Sequence, residues 1–260
     1  MSLLKLNFFS EALGRAVYVN VLLPQATTGK GRGWKAFETK PPFPVLYLLH
    51  GLSDDQDGWL RQTSIERYAE KRNLAVVLPT TDRGFYTDTA YGTNYFTYIS
   101  EELPSVLKQY LPLSERREDT YAAGLSMGGY GALKLALRLP QRFSFAASLS
   151  GAANIAARIN NGHITGDFLK EMQSIFGETI KPEDDVFSLL ETASPKPKLF
   201  VCCGTDDALY ESNDAFRTRA GELGYDITWR SDEGDAHEWG YWDRMIQVAL
   251  NLLPEQTYLR

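Results

Sequence analysis

The chain has 260 residues, of which 43% are hydrophobic and 23% are charged, and its formal net charge at pH 7 is −6. These proportions are typical of a soluble globular protein, and the length is enough for a large core in a single α/β domain over residues 1–260. The negative charge argues against nucleic acid or an anionic membrane as the main partner, because both favour a basic face. No apolar run approaches the length of a membrane span.

The N-terminal segment and the two cysteines indicate a cytoplasmic protein. The first ten residues contain one lysine, no extended apolar run and no small-residue cleavage site, so we interpret them as part of the fold rather than as a signal peptide. Cys202 and Cys203 are adjacent in an apolar segment and cannot join distant parts of one chain. This favours two reduced core residues, and a redox role is the alternative.

Segments with period-two alternation open the chain, and apolar runs then alternate with helical patterns. The predicted strands are Leu3–Phe9, Ala16–Leu22, Val45–Leu49, Leu74–Leu78, Thr120–Ala123, Phe143–Leu149, Lys198–Cys202 and Asp226–Arg230. The predicted helices are Ser64–Arg72, Thr97–Tyr110, Gly128–Arg138, Ser212–Leu223 and Trp239–Leu253, and Gly29–Gly33 is predicted to be a flexible loop. The alternation predicts a mostly parallel sheet of about eight strands with helices on both faces, whose ligands bind beyond the carboxyl ends of the strands.

A longer segment, residues 151–197, separates two of the predicted strands. Its apolar residues Phe168, Leu169, Met172, Ile175 and Phe176 are spaced for one face of a helix. Two compatible interpretations remain: a helix packed on the sheet with some extra loop, or a small cap that shapes an acyl pocket.

The most informative motif is Gly124-Leu-Ser-Met-Gly128, which lies between a predicted strand and a predicted helix. A Gly-x-Ser-x-Gly in this context is the signature of a nucleophile elbow, whose tight turn lifts the serine hydroxyl clear of the sheet. The five-residue pattern alone is a weak signal, and the strand and helix around it make it specific. Ser126 is therefore the candidate nucleophile, placed at a helix N-terminus that favours developing negative charge.

A serine nucleophile needs a base and an acid that orients the base. Of the three histidines, His237 lies in a loop between the last strand and the last helix, on the side of the sheet expected for Ser126. His163 lies in a polar loop and is interpreted as a surface residue. Asp206 and Asp207 both follow the strand that ends at Cys202, so either could be the acid.

His50 ends an apolar strand and has a different predicted role. Hydrolases carry His-Gly motifs in the loop that supplies the second N–H of the oxyanion hole. We expect the N–H groups of Leu52 and Met127 to form that hole and His50 to support the loop. Gly51 allows the backbone to approach closely.

Six blocks of the sequence together resemble the esterase D family of α/β-hydrolases, which includes S-formylglutathione hydrolases, bacterial tributyrin and acetyl esterases, and feruloyl esterases. The blocks are His50–Trp59, Asp82–Gly92, Tyr98–Pro104, Gly124–Gly129, Cys203–Asn213 and Gly234–Trp239. The resemblance implies a triad of Ser126, Asp207 and His237, with Leu52 and Met127 at the oxyanion hole. It is closer to the small-ester bacterial branch, and it also implies a homodimer or a homotetramer.

These features predict a serine carboxylesterase that acts on short-chain acyl esters through an acyl-enzyme, with no metal and no organic cofactor. The alternatives within enzymes are an S-formylglutathione hydrolase, a feruloyl-type esterase and an acyltransferase that uses an alcohol in place of water. The alternative from another class is a hydrolase-fold binding protein without catalysis. Such a protein would be expected to lack a triad member, whereas all three are present here.

Overall fold

The strands form a large mixed sheet and a small separate ladder in the computed structural model, which describes residues 1–28, 36–37 and 39–254. The strands are β1 Ser2–Ser10, β2 Arg15–Leu23, β3 Thr27–Thr28, β4 Ala36–Phe37, β5 Val45–Leu49, β6 Ala75–Pro79, β7 Thr120–Leu125, β8 Phe145–Leu149, β9 Lys198–Cys202 and β10 Ile227–Arg230. Eight of them follow the spatial order β1-β2-β6-β5-β7-β8-β9-β10, and β3 pairs with β4. The predicted loop Gly29–Gly33 lies outside the described residues.

The helices connect these strands. They are α1 Gly58–Gln62, α2 Ile65–Glu70, α3 Tyr95–Thr97, α4 Leu103–Tyr110, α5 Met127–Arg138, α6 Ile155–Asn160, α7 Gly166–Phe176, α8 Val186–Thr192, α9 Tyr210–Glu222 and α10 Trp239–Asn251. A π-helical turn over Tyr98–Glu102 joins α3 to α4, and 3₁₀ turns cover Arg117–Asp119 and Pro182–Asp184. No helix of the described residues is long and apolar enough to cross a bilayer.

The sheet is mostly parallel, as predicted. β1 and β2 pair antiparallel, β2 meets β6 antiparallel, and every later pairing through β10 is parallel. Both faces of the central strand β5 are buried: Val45, Tyr47 and Leu49 pack with α4 and α5, whereas Leu46 and Leu48 pack with α2 and α10. Side chains alternate between the faces of a strand, so a sheet covered on both sides requires the continuous apolar run that the sequence shows.

Several element bounds differ from the sequence predictions. The strand predicted from Phe143 begins at Phe145, because the N–H of Phe143 donates to the carbonyl of Leu139 in a turn (3.2 Å). The predicted helix Thr97–Tyr110 is longer and contains the π turn, and the short helix α1 was not predicted. Because α1 has only five residues, it gives almost no periodic signal.

The long segment 151–197 folds into α6, α7, a 3₁₀ turn and α8. The predicted apolar face of α7 packs toward the core, with Met172, Ile175 and Phe176 buried and Phe168 and Leu169 partly buried. The segment is therefore continuous with the main core along α7. Whether it also acts as a cap over an acyl pocket stays a prediction.

Candidate active site

Ser126 occupies a strained turn between β7 and α5. Its φ of 54° and ψ of −118° lie in a region that non-glycine residues rarely adopt. The flanking glycines make this turn possible: a Cβ on Gly124 would lie 2.3 Å from the carbonyl oxygen of Gly128, and a Cβ on Gly128 would lie 2.4 Å from that of Leu49. The N–H of Ser126 donates to the carbonyl of Leu149 (2.9 Å), which ties the turn to the neighbouring strand.

His237 links Ser126 to an acid. Its Nε2 lies 3.0 Å from Oγ of Ser126, and its Nδ1 lies 2.8 Å from Oδ2 of Asp207. The ionised carboxylate can only accept, so Nδ1 carries a proton and donates it to Asp207. Nε2 is then free to accept the hydroxyl proton of Ser126.

Asp207, and not Asp206, is the carboxylate brought to His237. Burial alone would raise the pKa of Asp207, but the hydrogen bonds from His237 and from the N–H of Leu209 (2.8 Å) outweigh it and hold the pKa below its usual value. Asp206 is exposed, and the hydroxyl of Thr205 bonds to its carboxylate (3.3 Å). One turn therefore directs its two consecutive carboxylates to different surroundings.

Backbone contacts hold the acid turn against the histidine loop. The N–H groups of Thr205 and Asp206 donate to the carbonyls of Asp232 and Asp235, each at 3.1 Å. Gly204 lies so close to the histidine loop that a Cβ there would be 2.0 Å from the carbonyl oxygen of Asp235. The sequence showed the glycine, but its role in admitting a segment about thirty residues away was not predicted.

His50 is buried, and its two ring nitrogens bond to backbone groups. The N–H of Thr81 donates to its Nε2 (3.0 Å), so Nδ1 carries the proton and donates to the carbonyl of Gly51 (2.6 Å). Burial lowers the pKa of His50 and keeps the ring neutral. Because the C=O and N–H of a trans peptide point in opposite directions, the bond to Gly51 turns the N–H of Leu52 away from the ring.

The loop around Gly51 lies beside the nucleophile. A Cβ on Gly51 would be 2.6 Å from Cδ1 of Leu125 and 3.8 Å from Cβ of Ser126. Met127 is the first residue of α5, so its N–H has no acceptor within the helix. The structure thus brings the predicted oxyanion-loop residues next to the predicted nucleophile.

A buried hydrogen-bond network, which the sequence analysis did not predict, supports the loop that follows His50. The hydroxyl of Tyr86 donates to the carbonyl of His50 (2.9 Å), and the ammonium of Lys134 donates to the carbonyl of Tyr86 (3.1 Å) and to the hydroxyl of Thr87 (2.8 Å). Lys134 also pairs with Asp184 (2.6 Å) from the 151–197 segment. Burial lowers the pKa of Lys134 to about 8. A lysine on an apolar helix gave no signal that its charge would be buried.

Known esterases are similar to this chain over almost its whole length. Residues 10–251 match the family model described as "Putative esterase". An acetyl esterase of Caldicellulosiruptor saccharolyticus is 29% identical in an alignment that covers 96% of this chain and 97% of that protein.

Two solved structures from Staphylococcus aureus are also similar. The substrate-bound fluorophosphonate-binding serine hydrolase FphF is 33% identical with a TM-score of 0.83, and the match covers 97% of this chain and 98% of that one. The apoenzyme of the S-formylglutathione hydrolase FrmB is 34% identical with a TM-score of 0.81 and the same coverage of 97% and 98%. The eight-stranded sheet with its helices is therefore an α/β-hydrolase fold, and because the family model spans residues 10–251, this chain belongs to the "Putative esterase" family.

Proposed function

We propose that this protein is a serine carboxylesterase that hydrolyses short-chain acyl esters through an acyl-enzyme. The observation that carries the proposal is the hydrogen-bonded series Ser126–His237–Asp207 at the carboxyl ends of β7, β9 and β10. Its two distances match the nucleophile, base and orienting acid of a serine hydrolase.

In the first step, Nε2 of His237 takes the hydroxyl proton as Oγ of Ser126 attacks the ester carbonyl. Asp207 keeps Nδ1 protonated and stabilises the imidazolium that forms. The imidazolium then gives its proton to the leaving alcohol, and the acyl group remains on Oγ.

The carbonyl oxygen becomes negatively charged during the attack and needs donors aimed at it. We assign the N–H groups of Leu52 and Met127 to this role. The first is oriented by the bond between His50 and the carbonyl of Gly51, and the second belongs to the opening turn of α5. Removing one such donor in other hydrolases costs about 2.7–4 kcal/mol of transition-state stabilisation.

In the second step, water takes the place of the alcohol. His237 removes a proton from the water as it attacks the acyl carbonyl, and the proton returns to Oγ of Ser126 when the acid product leaves. Every proton in the cycle passes through Nε2 of His237, so none of these steps requires a metal or an organic cofactor.

The similarity to the S-formylglutathione hydrolase FrmB supports a second candidate, hydrolysis of a glutathione thioester. The acetyl esterase similarity and the short-ester resemblance of the sequence favour simple esters. A comparison of kcat/KM for S-formylglutathione and for p-nitrophenyl acetate separates the two candidates.

The decisive test of the proposal uses purified protein and its Ser126→Ala variant. We expect wild type to hydrolyse p-nitrophenyl acetate and butyrate and to be labelled by a fluorophosphonate probe, and the variant to do neither. Activity that survives Ser126→Ala would overturn the proposal. If a labelled wild-type protein released no product, the reaction would not be ester hydrolysis.

We also propose that the protein works in the cytoplasm as a homo-oligomer. Cys202 and Cys203 are buried free thiols, which supports a reducing compartment, and the family resemblance supports a dimer or a tetramer. Fractionation of cells and light scattering of the purified protein test these two points.

A further inference from the structure

An aromatic series runs from His237 to the strand that precedes the oxyanion loop. The imidazole of His237 packs at 87° to Trp242 with ring centroids 4.8 Å apart. Trp242 meets Trp239 at 5.4 Å and 80°, and Trp239 meets Trp59 at 5.2 Å and 89°. The indole N–H of Trp59 donates to the carbonyl of Leu49 (2.9 Å), directly before His50.

Trp242, the first tryptophan of this series, is held in place by packing. Trp242 is 5% exposed and lies in the core cluster between the sheet and α10. Its Nε1 is buried and has no hydrogen-bond partner among the described residues, whereas that of Trp59 has one. Among the described residues, the Trp242 ring packs against the aromatic rings of His237 and Trp239.

His237 needs a restraint beyond its two hydrogen bonds. Its side chain is 37% exposed, so the ring has room to turn toward solvent. In the acyl-enzyme, Oγ of Ser126 carries the acyl group and no longer has a proton to donate to Nε2. The bond to Asp207 then fixes one ring nitrogen only, and a packed aromatic neighbour is what keeps Nε2 directed at the reaction centre.

We propose that Trp242 is a positioning residue for His237, and that Trp239 and Trp59 connect this support to the strand of the oxyanion loop. The inference rests on the proposed serine esterase function. It makes Trp242 responsible for the orientation of the base in both chemical steps, while substrate binding is left to other residues.

The test compares Trp242→Phe, which keeps an aromatic ring, with Trp242→Met, which keeps apolar bulk without a ring. Misplacement of a catalytic group by about 1 Å can cost about 10²-fold, so we expect Trp242→Met to lower kcat by about 10- to 100-fold with KM within about threefold of wild type. Trp242→Phe should retain kcat within about threefold of wild type, because the ring contact remains. The rate of fluorophosphonate labelling should fall in parallel with kcat, since it measures attack by Ser126.

Trp229→Met is the matched control. Trp229 is partly buried, and its ring packs against Tyr210 (6.1 Å) and the guanidinium of Arg217 (5.6 Å) rather than against His237. We expect it to keep wild-type kcat. A low-field proton resonance from Nδ1 of His237 gives an independent readout, which should persist in Trp242→Phe and broaden or vanish in Trp242→Met.

The connection through Trp239 is tested separately. Trp239 is only partly buried, so we expect its substitution to disturb folding less than that of Trp242. We expect Trp239→Met to lower kcat by about three- to tenfold, and the double variant with Trp242→Met to lose less than the product of the single losses. If Trp242→Met fails to fold, a kcat lowered about three- to tenfold in Trp239→Met together with a nearly unchanged kcat in Trp242→Phe supports the inference, and a loss of more than about tenfold in Trp242→Phe overturns it.

The inference is overturned if Trp242→Met keeps kcat within about twofold of wild type, or if Trp242→Phe loses as much kcat as Trp242→Met. A Trp239→Met variant with wild-type kcat overturns the connection to the oxyanion strand. These results differ from a failure of the proposed function, in which the wild type itself is inactive or Ser126→Ala remains active.

Discussion

His237 and His50 both lie in the candidate site, but their nitrogens bond to different kinds of group. Those of His237 bond to the side chains of Ser126 and Asp207, and its side chain is 37% exposed. Those of His50 bond to the backbone at Thr81 and Gly51, and the residue is 1% exposed. Both rings are protonated on Nδ1, so the tautomer does not distinguish them.

The group that donates to Nε2 is what separates the two histidines. In His237, Nε2 faces a hydroxyl whose proton can move, and solvent can reach the ring. In His50 it faces an amide N–H whose proton does not leave, and burial holds the ring neutral. The same residue type is thus suited to act as a base where its partners are the side chains of a hydroxyl and a carboxylate, and to hold a loop where its partners are backbone groups.

Substituting each histidine gives the largest expected contrast. His237→Ala should lower kcat by about 10⁴-fold or more, to the level of Ser126→Ala, because members of a triad act as a unit. His50→Ala should lower kcat by about 10²-fold and leave measurable turnover, because it loosens one oxyanion donor. Steady-state kinetics with p-nitrophenyl acetate measures both, and equal losses would contradict the division of roles.

The acid of His237 gives the next contrast. Asp207→Asn should lower kcat by about 10⁴-fold, because an amide at this position favours the wrong tautomer of the base. Asp206→Asn is the matched control one residue away and should remain within about tenfold of wild type. The reverse pattern would transfer the role of the acid to Asp206 and leave the esterase proposal intact.

The buried ion pair of Lys134 and Asp184, which lies under the loop that follows His50, is expected to affect the stability of the fold. Lys134→Met leaves the buried carboxylate of Asp184 with only the more distant guanidinium of Arg138 (3.7 Å) among the described residues, which should lower the free energy of unfolding by up to about 3–5 kcal/mol. Replacing both residues with Lys134→Met and Asp184→Leu should recover most of that loss. Urea unfolding measures the three proteins, and a double variant no more stable than the single one would contradict the pairing argument.

The pKa of Lys134 adds a direction to this measurement. The pKa is about 8 in the folded protein against 10.5 for a free lysine, so the unfolded chain binds more protons between these pH values. The free energy of unfolding of wild type should therefore rise relative to Lys134→Met as the pH increases through this range and stay constant below it. A difference that falls with pH would contradict the assignment.

The pH profile of activity gives the smallest and most specific contrast. The base must be neutral to accept a proton, so kcat/KM should rise with pH through the neutral range and then reach a plateau. The pKa of His50 is lowered by burial, and that of Asp207 is lowered because its hydrogen bonds outweigh the opposing effect of burial. Both shifts move these groups away from this range, whereas Lys134, with a pKa of about 8, lies at its upper end.

A second ionisation in that profile, removed by His50→Gln, would show that His50 titrates during catalysis. A flat profile with chemistry as the slow step would count against His237 as the base. Both outcomes are read from kcat/KM for p-nitrophenyl acetate measured over the full range.

Local sequence patterns determined much of the molecule. The alternation of apolar runs and helical segments predicted the mostly parallel sheet, and the family and structural comparisons confirm the fold. The glycines around Ser126 predicted the elbow because only residues without side chains fit so tight a turn. The His-Gly pair after a buried strand predicted a supporting role for His50, because hydrolases carry such motifs in the loop that supplies the second N–H of the oxyanion hole.

Tertiary contacts decided what the local patterns left open. Local patterns left Asp206 and Asp207 open and the family resemblance implied Asp207; the pairing of their turn with the histidine loop gives the physical reason that Asp207 meets His237. Other contacts join residues that are between 5 and about 50 positions apart. They are the contacts of Lys134 with Tyr86 and Asp184 and the packing of Trp242 against His237. Periodicity predicts which side of an element faces the core, but it does not predict which polar or aromatic group from a distant segment packs against that side. In this protein those distant groups determine the surroundings of each histidine.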